Sequence, residues 1–143
     1  LLTPLFGEGM ADNTRLDEYY QYVQQKGKLR TDAHAKRWSD GILKTLGLNM
    51  DRGAKKALAR ALPDELANSL TRVFWLLHFR NENLSREEFQ KTSARRSGNT
   101  DADFAYYPIV AVFGGLKQLI DADLQRQVAD SLAPGIRELW DES

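Results

Sequence analysis

Arg52, Lys55, Lys56 and Arg60 are spaced so that, on an α-helix, all four lie along one side, while Ala54, Ala57, Leu58, Ala61 and Leu62 take the other. Four cations in one stripe suit a phosphate backbone. If each displaced a counterion from duplex DNA, log affinity would fall against log salt with a slope of about −3.6. Asp51 and Asp64 stand at the two ends of the stripe, so a merely solvated helix face is the competing reading. Lys91, Arg95 and Arg96 form a further basic cluster before Ser97-Gly98-Asn99, without the aromatic spacing of a single-strand platform.

A second group points to protein contact. Val73 to Phe79 reads VFWLLHF, apolar nearly all round a helix, which means a segment either enclosed in the core or exposed on one side. Enclosed, it joins the two halves of the chain. Exposed, Trp75 and Phe79 become interface anchors, each stabilising an association by about 1.5–3 kcal/mol when removed from water.

Catalytic chemistry finds no footing in the residue pattern. There is no Gly-rich phosphate loop followed by Lys-Ser or Lys-Thr, no dinucleotide fingerprint and no nucleophile elbow. His34 and His78 lack a second His at the i+4 spacing of a helical metal site. Glu87 and Glu88 are adjacent and point about a hundred degrees apart on a helix, so they read as first-turn charges and not as an acid/base pair. No catalytic residue, metal ligand or cofactor is assigned, and an enzyme would need a site assembled in space with no motif to announce it.

The elements that must carry these residues all read as helices. Thr14 is a plausible N-cap before the stripe Leu16, Tyr19, Tyr20, Val23, with Gly27 ending the helix. A second helix starts at Thr31-Asp32 and places Trp38, Ile42, Leu43 and Leu46 on a core face before a break at Gly47 and Asn49. The basic third helix opens at Asp51, and Pro63 offers the first position of a short fourth. Ser85 to Glu88 is a capping box, and YYPIVAVF at 106–113, although rich in β-formers, reads as helix from a start near Asp101 with Pro108 in its first turns.

The order repeats. Thr100-Asp101-Ala102 echoes Thr31-Asp32-Ala33, Tyr107 corresponds to Trp38, and at a spacing of 70 Asp51 pairs with Asp121, Leu58 with Val128 and Leu66 with Ile136. The basic stripe itself does not repeat, since Ala122, Gln125 and Arg126 stand near its equivalents. The expected fold is all-α, a compact helical bundle of two pseudo-repeated three-helix units (about 14–80 and 83–143) with short connecting helices. A unit of about 70 residues hardly buries its apolar face alone, so the copies close on one core.

The 143 residues suit one domain. Residues 1–13 are set apart as an N-terminal tail, disordered or docked: LLTPLFGEG is too short for a membrane span and lacks a basic n-region, and its Leu1 start ahead of Met10 suggests an over-extended frame, a fragment or processing. With no cysteine the chain fits a reducing cytoplasm. The 20 basic and 20 acidic residues cancel, but 17 of the former and 12 of the latter lie in residues 1–100, against 3 and 8 in residues 101–143. Such halves suit a head-to-tail contact or a local basic face, or a neutral chain balanced by chance.

A helix, a second helix and a third closing in Ala61-Leu62-Pro63-Asp64-Glu65-Leu66, all met twice between Leu16 and Trp140, resembles the bacterial domain-of-unknown-function family 2267. The second copy, Leu132-Ala133-Pro134-Gly135-Ile136, shifts the proline and loses the acid. The resemblance implies a small soluble helical bacterial protein, with no assigned activity and no catalytic residues to carry over. The residues themselves favour a non-enzymatic cytoplasmic module that contacts protein or a second copy of itself. The alternatives are a nucleic-acid-binding domain using the basic helix face, and an enzyme whose site no motif reveals.

Overall fold

A computed structural model describes residues 12–72 and 84–143. Among these residues there are eight α-helices and no strand: α1 (Asp12–Lys26), α2 (Asp32–Asn49), α3 (Arg52–Ala61), α4 (Asp64–Thr71), α5 (Arg86–Arg96), α6 (Tyr106–Leu119), α7 (Ala122–Ser131) and α8 (Pro134–Glu142). No helix among them is long and apolar enough to cross a membrane.

Short polar residues start four of the helices. The side chains of Thr31, Asp51, Ser85 and Asp121 accept from the amides of His34, Ala54, Glu88 and Leu124, each satisfying a donor that the first turn leaves open. Ser85 also donates its hydroxyl to Glu88 Oε1 at 3.2 Å.

One core runs through the bundle. Tyr19, Tyr20 and Val23 of α1 and Trp38, Ile42, Leu43 and Leu46 of α2 are buried in it, as their helical spacing predicts. From the second half come Phe89, Ile109, Val112, Phe113 and Leu116, with Val128 and Ile136 from the last two helices. The helices pack α1 on α2 and α6, α2 on α4 and α5, α3 on α4 and α7, and α8 on α5 and α6.

Several local readings need correction. α1 includes Asp12, so Thr14 lies inside the helix and is not its N-cap. Gly47 does not break α2. It sits within the helix where a Cβ would overlap the Leu70 carbonyl oxygen, which makes it the contact that lets α4 approach. Pro63 is the N-cap of α4, whereas Pro134 does open α8. Ala57 is only partly buried, leaving Ala54, Leu58 and Leu62 as the buried line of that helix.

α6 begins at Tyr106, five residues after Asp101. Pro108 has no N–H to give the Phe104 carbonyl in an i−4 bond, and that oxygen instead accepts from Tyr107 N at 3.0 Å, tightening the chain into turns ahead of the helix. The tightening also separates Tyr107 from Trp38 in role. Trp38 is 4% exposed and Tyr107 37%, and it is Phe104 that meets the Trp38 ring edge-on at 5.9 Å.

Candidate functional site

The basic stripe stands on α3 as its spacing requires. Leu58 and Ala54 anchor the inner side against the core, while Arg52, Lys56 and Arg60 are exposed and Lys55 is half-buried at the margin. Asp51, which flanks the stripe in sequence, spends its Oδ1 on the Ala54 amide at 2.9 Å, and neither Asp51 nor Asp64 pairs with Arg52, Lys56 or Arg60. No ion pair among the described residues involves those three cations. Partial burial, and then the like charge of Arg52, hold the Lys55 ammonium below its ordinary pKa. Positive charge is therefore concentrated on this face, and Arg52, Lys56 and Arg60 are in no ion pair among the described residues.

Trp75 and Phe79, with His78, lie outside the described residues. His34 is exposed on the first turn of α2, and Glu87 and Glu88 are exposed on the first turn of α5. Among the described residues, no group of three or more His, Asp or Glu is placed to hold a metal ion.

Residue spacing gave no sign of a polar cleft of about 520 Å³ lined by Tyr20, Lys36, Asp40, Glu65, Ser69 and Arg72, where α1, α2 and α4 meet. Tyr20 donates to Glu65 Oε2 at 2.6 Å, Ser69 donates to Asp40 Oδ1 at 2.8 Å, and Lys44 reaches Asp40 Oδ2 at 2.7 Å. Burial raises the Tyr20 phenol, and its hydrogen bond to the Glu65 carboxylate raises it further. These bonds join α1, α2 and α4 as a hydrogen-bonded strut. Only Asp40 and Lys44, four residues apart, could have been paired from sequence; Tyr20 and Glu65 are separated by 45 residues, with α2 and α3 between them.

The family model described as "Uncharacterized conserved protein (DUF2267)" matches residues 16–139, from the first turns of α1 into α8. The chain belongs to this family, as the Ala61 to Leu66 motif suggested. No curated protein matches the chain.

Proposed function

We propose that this member of the DUF2267 family is a non-enzymatic interaction module of the cytoplasm, and that the α3 face is a surface through which it engages an acidic protein partner or a second copy of itself. The observation that carries this reading is the row Arg52, Lys56, Arg60: exposed, one helical turn apart, and without a carboxylate partner among the described residues. Such cations are available to a partner, and rim charges of this kind set association rate and specificity. A second copy has complementary charge to offer, since residues 101–143 hold 8 acidic against 3 basic residues, with Asp103 and Glu138 exposed and in no ion pair among the described residues. On the sequence, Trp75 and Phe79 are proposed as apolar anchors of a protein contact.

The same stripe supports a second reading, contact with a nucleic-acid backbone, because its one-turn spacing suits a line of phosphates. The fold as two pseudo-repeated units, about 14–80 and 83–143, belongs to this proposal too. It is supported by the equivalent caps Asp51 and Asp121 and by two correspondences, α1 on α6 with α5 on α2 and α2 on α4 with α6 on α8, whereas α5 on α8 has no equal in the first half.

The test is a pull-down from bacterial lysate with and without nuclease at two salt concentrations, using wild type and the triple variant Arg52→Gln, Lys56→Gln, Arg60→Gln. A protein partner, or the protein itself, retained after nuclease and lost with the variant is the expected result. Nucleic acid released by moderate salt, with a slope near −3.6 for four contacts or about −2.7 if Lys55 takes no part, transfers the function to the second reading. Capture that the triple variant leaves unchanged removes α3 from both.

A further inference from the structure

At the far end of α2 from α3, the loops after α1 and after α5 enclose a cavity of about 370 Å³ with Lys28, Arg30, His34 and Arg37 on its walls. No carboxylate is among its lining residues. Asp32, the nearest acid in sequence, is paired with Lys36 at 3.3 Å. Arg30 and Arg37 are exposed, and neither side chain has a hydrogen-bond or ion-pair partner among the described residues. The Trp38 and Phe104 rings, edge to face, supply an apolar wall.

The backbone of the two loops adds an independent observation. Each helix ends with a residue in the left-handed region: Gly98 after α5, with φ 77°, and Lys28 after α1, with φ 57°. The closing bonds are alike, Asn99 N to Ala94 O at 2.8 Å and Leu29 N to Gln24 O at 2.9 Å. Glycine is the residue that this position favours, and Lys28 is the one non-glycine residue among those described with a positive φ. Its side chain, on the cavity wall, reaches over the Tyr107 ring with Nζ 4.0 Å from the centroid. A lysine held where its backbone is disfavoured indicates that the side chain matters. Gly98 lies against the Arg37 stem, whose Cδ would be in ordinary contact, at 3.8 Å, with a Cβ there.

We propose that this cavity binds a small phosphorylated molecule, Arg30 and Arg37 taking the phosphate with Lys28 as a further point charge, and the Trp38–Phe104 wall meeting the ligand's apolar part. Guanidinium groups match phosphate oxygens in geometry as well as charge, and the volume lies within the range of small-molecule sites. The site shares no residue with the α3 stripe and does not rest on the function assigned to it.

The experiment is an amide NMR titration of the full chain with adenosine monophosphate, with inorganic phosphate and adenosine as the two halves of the probe. Saturable shifts confined to residues 28–38 and 97–104, stronger for the nucleotide than for phosphate and absent for adenosine, are expected. Arg30→Gln with Arg37→Gln then weakens binding by about tenfold or more, while Arg52→Gln with Arg60→Gln leaves it unchanged. Lys28→Gly separates binding from structure: it restores the favoured loop residue, so the fold is retained and the affinity falls. Shifts spread over every basic surface, equal shifts with adenosine, no saturation, or unchanged affinity in the Arg30/Arg37 variant each overturn the proposal.

Discussion

Arg86 grips both carboxylate oxygens of Glu142, Nη1 to Oε2 at 2.6 Å and Nη2 to Oε1 at 3.1 Å, and so ties the first residue of α5 to the last of α8. Tyr106 donates to the same carboxylate at 3.0 Å from the start of α6. These bonds, Arg86 first, hold the Glu142 carboxyl below its ordinary pKa. A carboxylate whose folded pKa is depressed contributes stability that is present above its unfolded pKa and is lost as pH falls through the folded one. Thermal unfolding followed from pH 7 downward is expected to show Arg86→Met less stable than wild type at neutral pH, with the two curves converging below about pH 4. A constant gap between them across the range would show that Arg86 acts through packing alone.

Two glycines should respond in opposite directions to the same change. Helix propensity favours alanine over an interior glycine by about 1 kcal/mol. At Gly53 an added Cβ meets only Asp51 Oδ1, at 3.4 Å, so Gly53→Ala is expected to stabilise by a few tenths of a kcal/mol up to about 1. At Gly47 the Cβ runs into the Leu70 backbone, which cannot turn aside as a side-chain end would, and Gly47→Ala is expected to destabilise by about 1–3 kcal/mol. Denaturant midpoints of the two variants decide it; a Gly47→Ala protein as stable as wild type would mean that α2 and α4 can separate at no cost.

Gly47 also marks where sequence reasoning stops. Helix starts were readable because a cap is a local device: Thr31, Asp51 and Ser85 each bind an amide three residues on. The inward stripes of α1 and α2 were readable for the same reason, since period alone selects Tyr19, Val23, Ile42 and Leu46. A glycine required by a neighbour 23 residues away looks in sequence like a helix breaker. Lys28 misleads in the opposite sense, because nothing local announces a lysine where Gly27 offers the conformational freedom. Both clefts are built from segments that meet only after the helices pack, so Tyr20 with Glu65, and Arg37 with Gly98, had no spacing to betray them. The α3 stripe is the exception: all its members lie within nine residues.

The buried pair Tyr19 and Ser39 is expected to behave as one unit. Their hydroxyls are 2.7 Å apart where α1 crosses α2, both residues fully buried, and burial pushes the Tyr19 phenol well above its ordinary value. Tyr19→Phe leaves the Ser39 hydroxyl without that partner in the core and should cost about 1–3 kcal/mol. Tyr19→Phe with Ser39→Ala removes both polar groups and should recover part of this loss. A double-mutant cycle from urea unfolding reads the coupling directly, and strictly additive losses would show that the bond contributes nothing beyond the packing of the ring.

Arg52 breaks two local rules. It stands at the first position of α3, at the positive end of the helix dipole where acids are favoured, and its charge presses on Lys55 one turn along. Asp51 relieves the open amides there as the N-cap but makes no ion pair with Arg52. If the stripe served only solubility, a neutral residue in that place would serve as well and fold better. Arg52→Gln is therefore expected to raise stability by about 0.2–0.5 kcal/mol, the size of one like-charge helix contact, and to move the Lys55 ammonium back toward its ordinary pKa. A lysine whose folded pKa is depressed subtracts stability while the pH lies below that pKa, so the gain should be present at neutral pH and fade as pH rises through the Lys55 titration. Calorimetry at pH 7 and at high pH, with the Lys55 side chain followed by NMR, measures both parts. A variant that gains stability yet loses its partner in the pull-down would identify Arg52 as retained for contact; one that loses stability would mean the charge is held in place by the fold itself.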